Sequence, residues 1–107
     1  MQLIQQGSIV MVNFPYSDTE ITKQRPALVI SKTENNHTLV NVLKITSVIR
    51  NDIHSFKITE EMFATPKPSE IRLNDIMTIS ANKIIRDNGV LQTKHLLQVL
   101  NKFKVQF

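Results

Sequence analysis

Short apolar runs separated by clusters of polar turn residues make up the first ninety residues of the chain. Residues 9–14 begin with consecutive apolar positions, which predicts a strand that is buried on both faces. Residues 27–30 form a second short apolar run, and residues 39–49 are rich in the β-branched side chains that favour strands. The pattern therefore predicts a sheet whose first three strands lie in these ranges.

A later strand has an irregular pattern. Within residues 71–79, Ile71 and Leu73 occupy one face, and the apolar pattern then resumes one residue late at Ile76. This change of phase predicts a bulge or a half turn at residues 74–75.

Turn residues divide the strands. Clusters of Asn, Asp, Ser and Pro predict loops at residues 17–24, 33–37, 50–52 and 65–69. The pair Asn88–Gly89 is typical of a tight hairpin turn, so we expect residues 83–86 and 90–92 to be its two strands. Residues 53–59 alternate polar and apolar side chains and predict a further strand.

The last segment has the period of a helix. Its apolar stripe consists of Leu96, Leu97, Leu100 and Phe103. Thr93 is placed to be the N-cap of this helix. Six or so short strands followed by one helix predict a mainly β fold, a small barrel, rather than a parallel sheet. We expect one domain over residues 1–107, because no linker or repeat interrupts the pattern.

Composition restricts the class of protein. The chain has 107 residues, of which 41% are hydrophobic and 21% charged, and this excludes a disordered or fibrous chain. It has no cysteine, which excludes a disulfide framework, a thiolate metal site and a cysteine nucleophile. Thirteen Lys and Arg residues against nine Asp and Glu give a net charge of +4, which favours a polyanionic partner such as nucleic acid.

Several further classes are excluded by what the sequence lacks. No apolar stretch is long enough to span a membrane, and the first residues lack the basic and apolar regions of a signal peptide. We therefore expect no membrane association and a cytoplasmic location. The two glycines, Gly7 and Gly89, are too few for a phosphate-binding glycine loop, which excludes kinase, P-loop and dinucleotide-binding classes.

The three histidines do not form a metal motif. His37, His54 and His95 lack the short spacing of metal ligands, so we expect no metal and a surface or edge position for each. A pair of them acting as acid and base on RNA is an alternative, because histidine titrates near neutral pH. Nothing in the sequence brings two of them together.

Arg25 comes directly before Pro26 and the apolar run of residues 27–30. Proline fixes its own φ and favours extended geometry in the residue before it, so we expect Arg25 to be held on stiff backbone where the strand begins. A guanidinium held in this way can bind a phosphate through two hydrogen bonds. The alternative is a surface arginine that ends an ordinary loop.

Thr46 and Ser47 are consecutive hydroxyl side chains in a segment otherwise rich in Ile, Leu and Val. Because hydroxyl groups donate to phosphate oxygens, the pair is a second candidate for contact with a nucleic-acid backbone. The alternative is that neighbouring backbone satisfies both hydroxyls at the end of a strand.

Four segments, in this order, resemble the PemK/MazF family of toxin endoribonucleases. They are residues 7–18 (GSIVMVNFPYSD), 23–31 (KQRPALVIS), 44–49 (KITSVI) and 66–79 (PKPSEIRLNDIMTI). The usual forms in the family are a Gly-Asp-Ile-Val start, an Arg-Pro strand, a central strand with Thr or Thr-Ser, and a Pro-rich loop before a strand that ends in Thr-Ile. The resemblance covers nearly the whole chain.

The resemblance implies an SH3-like barrel of the PemK/CcdB type with a C-terminal helix, assembled as a homodimer. It implies sequence-selective cleavage of single-stranded mRNA without metal or cofactor. In that reaction the ribose 2′-OH attacks its own phosphate and leaves a 2′,3′-cyclic phosphate and a 5′-OH. A cognate antitoxin protein would occlude the RNA groove at the dimer interface.

The family's key arginine and threonine match Arg25 and Thr46, which the resemblance implies to be catalytic. Attack by the 2′-OH builds charge on the phosphorane oxygens, and donors aimed at those oxygens stabilise it. We expect Arg25 to stabilise this charge and to be a proton donor to the leaving 5′-oxygen, because a guanidinium with a pKa above about 12 is a poor base. The base is left unassigned.

RNA contacts are expected from Tyr16, Lys23, Ser47 and Asp75. Tyr16 would stack on an unpaired base, or else pack beneath the loop that follows it. The sequence departs from the family pattern in three places: loop 17–24 lacks glycine, Ser8 replaces an Asp, and Asn74–Asp75 stands where members place Gln or Lys. The glycine-free loop is expected to be stiffer or shaped for another RNA, Ser8 is a minor change, and the residues at 74–75 leave base readout there open.

Two other functions are consistent with the same fold. One is a CcdB-type toxin that poisons gyrase and needs neither Arg25 nor Thr46 for RNA. The other is a non-catalytic SH3-like module that binds nucleic acid or protein. Binding without cleavage, with a steep salt dependence, would indicate the module.

Overall fold

The computed structural model describes residues 4–15, 22–32, 39–63 and 67–106. The chain forms β1 (Ser8–Pro15), β2 (Thr22–Val29), β3 (Leu39–Thr46), β4 (Ser55–Ile58), β5 (Ser69–Ser80), β6 (Ile84–Val90) and α1 (Thr93–Gln106). A short 3₁₀ turn, Ala81–Lys83, joins β5 to β6. The predicted mainly β fold with one C-terminal helix is confirmed.

The six strands form one antiparallel sheet in the order β4-β5-β3-β2-β1-β6. Val42 of β3 pairs with Val29 of β2 on one side and with Met77 of β5 on the other. The central position of β3 explains why its sequence is apolar at most positions, since a central strand is covered on both faces.

Apolar side chains fill both faces of the sheet. The face that packs against α1, here called the helix face, carries Ile9, Leu28, Leu43, Ile45, Ile58, Ile71, Leu73, Leu91 and Val99 of the helix. The other face, here called the far face, carries Val10, Val12, Ala27, Val29, Val40, Val42 and Ile79, with Ile4. Successive strand residues alternate between the two faces, so consecutive apolar residues build two cores.

β5 changes face halfway along its length. Its partners on β3 pass from Ile45↔Ile71 to Leu43↔Ile76, so one residue of β3 stands opposite four of β5. Ile71 therefore faces the helix, while Met77 packs on the far-face core. This is the irregularity predicted at residues 74–75, and it leaves a polar bulge at the middle of the strand.

The hairpin predicted at Asn88–Gly89 is wrong. Both residues lie inside β6, where the register with β1 passes from Val10↔Asp87 to Ser8↔Val90. Two residues of β6 thus oppose one of β1, which is a β-bulge. Gly89 has φ 129°, and its N–H donates to Asp87 Oδ1 at 2.9 Å. The preference of Asn-Gly for positive φ is used here within a strand, because β1 is available as a partner.

β2 begins earlier than the sequence predicts. Thr22, Lys23 and Gln24 were expected in a loop, but they pair with the end of β1. Arg25 consequently lies inside β2 and not where a strand begins.

The helix begins and packs differently from the prediction. Thr93 is its first residue and not its N-cap, and the Gln92 carbonyl accepts the N–H groups of His95 and Leu96. Val99 is fully buried on the helix face, whereas Leu97, expected in the apolar stripe, is 53% exposed.

Candidate functional site

Arg25 and Thr46 lie on the same face of neighbouring strands. Arg25 is the register partner of Val12, which belongs to the far-face core. Ala27 of β2 is the partner of Lys44 on β3, and Thr46 follows two residues later. Register partners and residues two apart share a face, so Arg25, Lys44 and Thr46 all belong to the far face. The same register continued by two residues places Arg25 opposite Thr46.

The polar end of the far face contains a cleft of about 340 Å³. Three cations line it: Lys44, Arg50 and Arg72. Thr46 and Asp75, both predicted as site residues, are brought together in this lining, which Val48 and Asn74 complete. Asp75 enters the cleft because the bulge in β5 lies opposite Lys44. The cleft therefore combines a hydroxyl with an excess of positive charge.

Thr46 is half-buried at the end of β3, and its hydroxyl oxygen already accepts one hydrogen bond. Its Oγ1 accepts the N–H of Val48 at 3.1 Å. The sequence left open the alternative that neighbouring backbone would form a hydrogen bond with this hydroxyl, and it does. The bond fixes the oxygen but does not use the hydroxyl proton. Thr46 can therefore still donate to a ligand in the cleft. Ser47 is exposed just beyond the strand end.

Arg25 is exposed on β2, and its Nη1 contacts the Gln24 carbonyl at 3.5 Å. It does not line the cleft itself, and neither does Lys23, which is exposed two residues before it. Tyr16 lies outside the described residues. The structure thus places Thr46 and Asp75 together and Arg25 on the adjoining strand.

The cations of the cleft differ in their partners. Within the described part of the chain, the side chains of Lys44 and Arg50 make no hydrogen bond or ion pair. The Arg72 guanidinium, in contrast, is fully engaged: Nη1 lies 2.6 Å from Glu70 Oε2, and both of its Nη atoms contact Asp52. Lys44 and Arg50 are therefore the cleft cations available to a phosphate.

Glu70 is a carboxylate that is only 2% exposed, directly across from Thr46 in the sheet. Burial of a charge is costly unless donors compensate it, and here both oxygens have donors. Oε1 accepts the backbone N–H groups of Arg50 (3.0 Å) and Asn51 (3.2 Å). Oε2 accepts from the Ser55 hydroxyl and from Arg72, each at 2.6 Å.

The pKa values of both carboxylates in this cluster are lowered. Burial raises the pKa of Glu70, but the hydrogen bonds from Ser55, Arg72 and the two backbone N–H groups outweigh it and lower the value to about 2. For Asp52, the hydrogen bond from Arg72 is the main cause that holds its pKa well below the usual range. The same two carboxylates raise the pKa of Arg72, with Asp52 contributing most. The cluster is therefore fully ionised at neutral pH.

Residues 47–54, here called the β3–β4 loop, are also held by the last turns of α1. Gln106 Nε2 donates to the Ile53 carbonyl, and its Oε1 lies 3.0 Å from His54 Nδ1. Lys102 Nζ donates to the Ser55 carbonyl at 2.7 Å. The loop that borders the cleft is thus fixed by Glu70 on one side and by the helix on the other.

His54 and His95 do not line the cleft. His54 is half-buried, whereas His95 is 8% exposed, and within the described residues neither of its ring nitrogens has a hydrogen-bond partner. The surface position expected for His95 is therefore wrong, because α1 turns it towards the core. His37 lies outside the described residues. Across the described ranges, no three His, Asp or Glu side chains group as metal ligands.

A larger cavity of about 690 Å³ lies beside the same cluster. It is lined by Glu70 and Ser55 together with Phe56, Pro68 and Lys102, but by neither Thr46 nor Arg25. We therefore place the candidate site in the smaller cleft.

Sequence reasoning missed Lys44, Arg50, Glu70 and Arg72. One signal for two of them was available: in the segment SEIRL, Glu70 and Arg72 are two apart, and this spacing puts opposite charges on one face of a strand. For Lys44 the signal was its spacing of two from Thr46. No comparable signal exists for Arg50, because it lies in a loop.

The sequence profile of the PemK-like, MazF-like toxins of type II toxin–antitoxin systems matches residues 5–107. Since the match covers almost the whole chain, this protein belongs to that family. A search of curated proteins gives no significant match.

Several solved structures are similar to this chain in fold. The chain is similar to MazE–MazF (Form-II) from Deinococcus radiodurans, with a TM-score of 0.82 and 16% identity, covering 99% of this chain and 96% of that chain. It is similar to an endoribonuclease from a mycobacterial species (TM-score 0.74, 12% identity, 99% and 91% covered). It is also similar to the Mycobacterium tuberculosis toxin MazF-mt6 (TM-score 0.73, 19% identity, 92% and 93% covered). Identities this low show a shared fold.

In the described residues, no helix has the length and apolar character needed to cross a membrane.

Proposed function

We propose that this toxin is an endoribonuclease that cleaves single-stranded mRNA in a sequence-selective way and without metal. The observation that carries the proposal is the placement of Arg25, Lys44 and Thr46 on one face of adjacent strands, beside a cleft in which two cations have no side-chain partner among the described residues. The family to which the chain belongs and the endoribonuclease among the similar structures support it.

The proposed reaction is an attack of the ribose 2′-OH on the adjacent phosphorus. The bond from phosphorus to the 2′-oxygen forms, the bond to the 5′-oxygen breaks, and the products are a 2′,3′-cyclic phosphate and a 5′-OH. Arg25 and the Thr46 hydroxyl donate to the phosphorane oxygens as negative charge builds on them. Arg25 also supplies the proton to the leaving 5′-oxygen. Because a guanidinium is too weak a base, the 2′-OH proton passes to another group.

The remaining residues of the site would bind the RNA strand. Lys44 and Arg50, whose side chains have no partner among the described residues, offer their charges to phosphates, and the exposed Lys23 and Ser47 are proposed to make further RNA contacts. Asp75 faces the cleft with an acceptor oxygen suited to a base amino group. Tyr16, which lies outside the described residues, is proposed to stack on an unpaired base.

We also propose a homodimer, acting in the bacterial cytoplasm, and a cognate antitoxin protein that blocks the RNA site. The Deinococcus radiodurans MazE–MazF structures, whose MazF fold this chain shares, support an antitoxin partner. No cofactor takes part in the proposed reaction.

The test is cleavage of a long, mostly unstructured RNA by the purified protein in EDTA, with both ends of every fragment mapped. Arg25→Ala and Thr46→Ala are measured beside the wild type. Arg86→Ala and Thr59→Ala are matched controls, because both residues are exposed and lie outside the cleft. Discrete cuts that end in cyclic phosphates, retained by the controls and lost in both site variants, are expected.

Other outcomes separate the rival functions. Cleavage that persists in both site variants would show that neither Arg25 nor Thr46 is needed for the reaction. Intact RNA with salt-dependent binding would indicate a non-catalytic module, and inhibition of gyrase without RNA binding would indicate a CcdB-type toxin.

A further inference from the structure

Arg50 reaches the cleft from a loop whose backbone is in a restricted conformation. Asn51, the next residue, has φ 51°, in the left-handed region that asparagine adopts more readily than other non-glycine residues. The loop is also held by hydrogen bonds to its backbone. The Arg50 and Asn51 N–H groups converge on Glu70 Oε1, in the arrangement of a backbone nest that binds an anion.

The carboxylate that fills this nest is itself immobile. Its second oxygen is held by Ser55 and Arg72, and Arg72 is held in turn by Asp52. Glu70 is therefore a rigid support, connected to β4 and β5 on one side and to the β3–β4 loop on the other. Nothing in the proposed chemistry uses Glu70 directly, since it is buried and all of its acceptor positions face protein donors.

The region that the Arg50 side chain can reach depends on this support. The side chain is exposed, lines the cleft and has no partner among the described residues. The reach of its guanidinium is therefore set by where its backbone is fixed. If the loop relaxes, this region moves with the backbone, and the guanidinium spends less time near a phosphate in the cleft.

We propose that Glu70 is a positioning residue for substrate binding, which holds the Arg50 backbone so that the Arg50 guanidinium contacts a phosphate of the RNA strand in the cleft. This inference rests on the proposed function, because it names the residue through which the same site binds its substrate.

The direction in which Glu70→Gln changes RNA affinity distinguishes a positioning role from a simple electrostatic effect. Glu70→Gln removes a negative charge from the neighbourhood of the cleft, so electrostatics alone would strengthen the binding of a polyanion. Positioning predicts the opposite, because the amide is a weaker acceptor for the two loop N–H groups. RNA binding is therefore expected to weaken.

The experiment measures the affinity of the full-length protein for a mixed-sequence 2′-O-methylated RNA oligonucleotide, which cannot be cleaved because it lacks the attacking hydroxyl. Glu70→Gln and Arg50→Ala are each expected to weaken binding about tenfold, the effect of losing one charged hydrogen bond. Each is also expected to reduce the slope of log Kd against log salt by about 0.7, the value for one phosphate contact on a single strand. A merely structural role of Glu70 would not change this slope.

The double variant tests whether Glu70 acts through Arg50. Glu70→Gln added to Arg50→Ala is expected to cause no further loss, because the contact that it positions is already absent. Glu61→Gln is the matched control, since Glu61 is exposed and, among the described residues, its carboxylate pairs with Lys94 alone, at 3.8 Å. If Glu70→Gln does not fold, Glu70→Asp takes its place, because it keeps the charge and withdraws the carboxylate by one methylene. Faster amide exchange at Arg50 and Asn51 is expected in either variant.

Unchanged or tighter binding by folded Glu70 variants would overturn the inference, and so would losses that add in the double variant. Cleavage of unmodified RNA by the wild type is measured in parallel. The expected binding pattern without cleavage would uphold the inference and overturn the proposed function. Cleavage with equal binding by all variants would uphold the function and overturn the inference.

Discussion

Thr46 and Glu70 are register partners across β3 and β5, one a half-buried hydroxyl beside the cleft and the other a carboxylate that is 2% exposed. The pairing connects the proposed chemistry to the interior of the sheet. The same carboxylate that faces Thr46 across the two strands also fixes the loop that follows Thr46. The hydroxyl and the loop are therefore parts of one rigid unit.

Thr46→Val is expected to lower the cleavage rate by about 10²–10³-fold, the usual cost of losing one donor to developing charge. Valine has the same shape as threonine but no hydroxyl. Thr46→Ser keeps the hydroxyl and is therefore expected to keep most of the activity. The loss of the contact to the Val48 N–H is expected to cost only about 1 kcal/mol of folding free energy. Mapped cleavage rates and urea unfolding separate the two effects. Cleavage at the wild-type rate by Thr46→Val would show that this hydroxyl takes no part in the reaction.

Stability is expected to fall in acid because of the Glu70 cluster. The pKa of Glu70 is about 2 in the folded protein, below its usual value of 4.5, so the folded state binds fewer protons than the unfolded state. Its contribution is therefore present above about pH 4.5 and is lost as the pH falls towards 2. Asp52, whose pKa is also lowered, acts in the same direction.

The measurement for this acid effect is the free energy of unfolding in urea between pH 7 and acid. Glu70→Gln is expected to cost about 2 kcal/mol at neutral pH, as for a hydrogen bond to a charged group, and to flatten the acid decline. Glu61→Gln is the control, because its carboxylate is exposed. An acid decline of the same size in Glu70→Gln and in the wild type would show that other groups cause it.

Alanine is expected to be tolerated less well at Gly7 than at Gly89. Both residues have positive φ, 94° and 129°, which costs an alanine about 1 kcal/mol or more. A Cβ at Gly7 would also lie 3.0 Å from Leu96 of the helix, whereas at Gly89 the nearest atom, on Phe63, is 3.5 Å away. Thermal melting of the two variants tests this order, and a lower Tm for Gly89→Ala would contradict it.

Truncation of α1 residues is expected to show which side of the helix packs. Val99→Ala removes two methyl groups from a fully buried site and is expected to cost about 2 kcal/mol. Leu97→Ala removes a larger side chain, but this residue is 53% exposed, so a change within about 0.5 kcal/mol is expected. Chemical unfolding of both variants is the measurement. A larger loss of stability for Leu97→Ala than for Val99→Ala would support the apolar stripe that the sequence predicts, in which Leu97 packs against the sheet.

The sequence predicts well those elements whose structure is determined by their own local pattern of apolar residues. The apolar runs around Val10 and Val42 are strands because they are buried on both faces, and this is visible locally. The phase change in β5 was also visible, because a break in the period of two predicts a bulge or a half turn, and the structure has the bulge. Asn88–Gly89 misled because a dipeptide that favours positive φ serves a bulge as well as a turn, and only the pairing with β1 decides between them.

The site was predictable only in part for a related reason. Thr46 and Asp75 were named from the sequence and do share a cleft, but Arg50 and Glu70 meet across 20 positions of the chain. Their contact uses a backbone N–H, which every residue except proline has, so no residue type marks it in advance. Buried charge clusters of this kind become visible only once the strand register is known.

The β3–β4 loop is anchored largely through its main chain: the N–H groups of Arg50 and Asn51 bind Glu70, and the Ile53 carbonyl binds Gln106. Main-chain anchors do not depend on the side chains at these positions. Val48 and Ile49, both exposed, can therefore be exchanged without moving the loop. Substitutions at these two positions are therefore expected to alter the RNA preference of the proposed site, while the position of Thr46 and the folding energy change little.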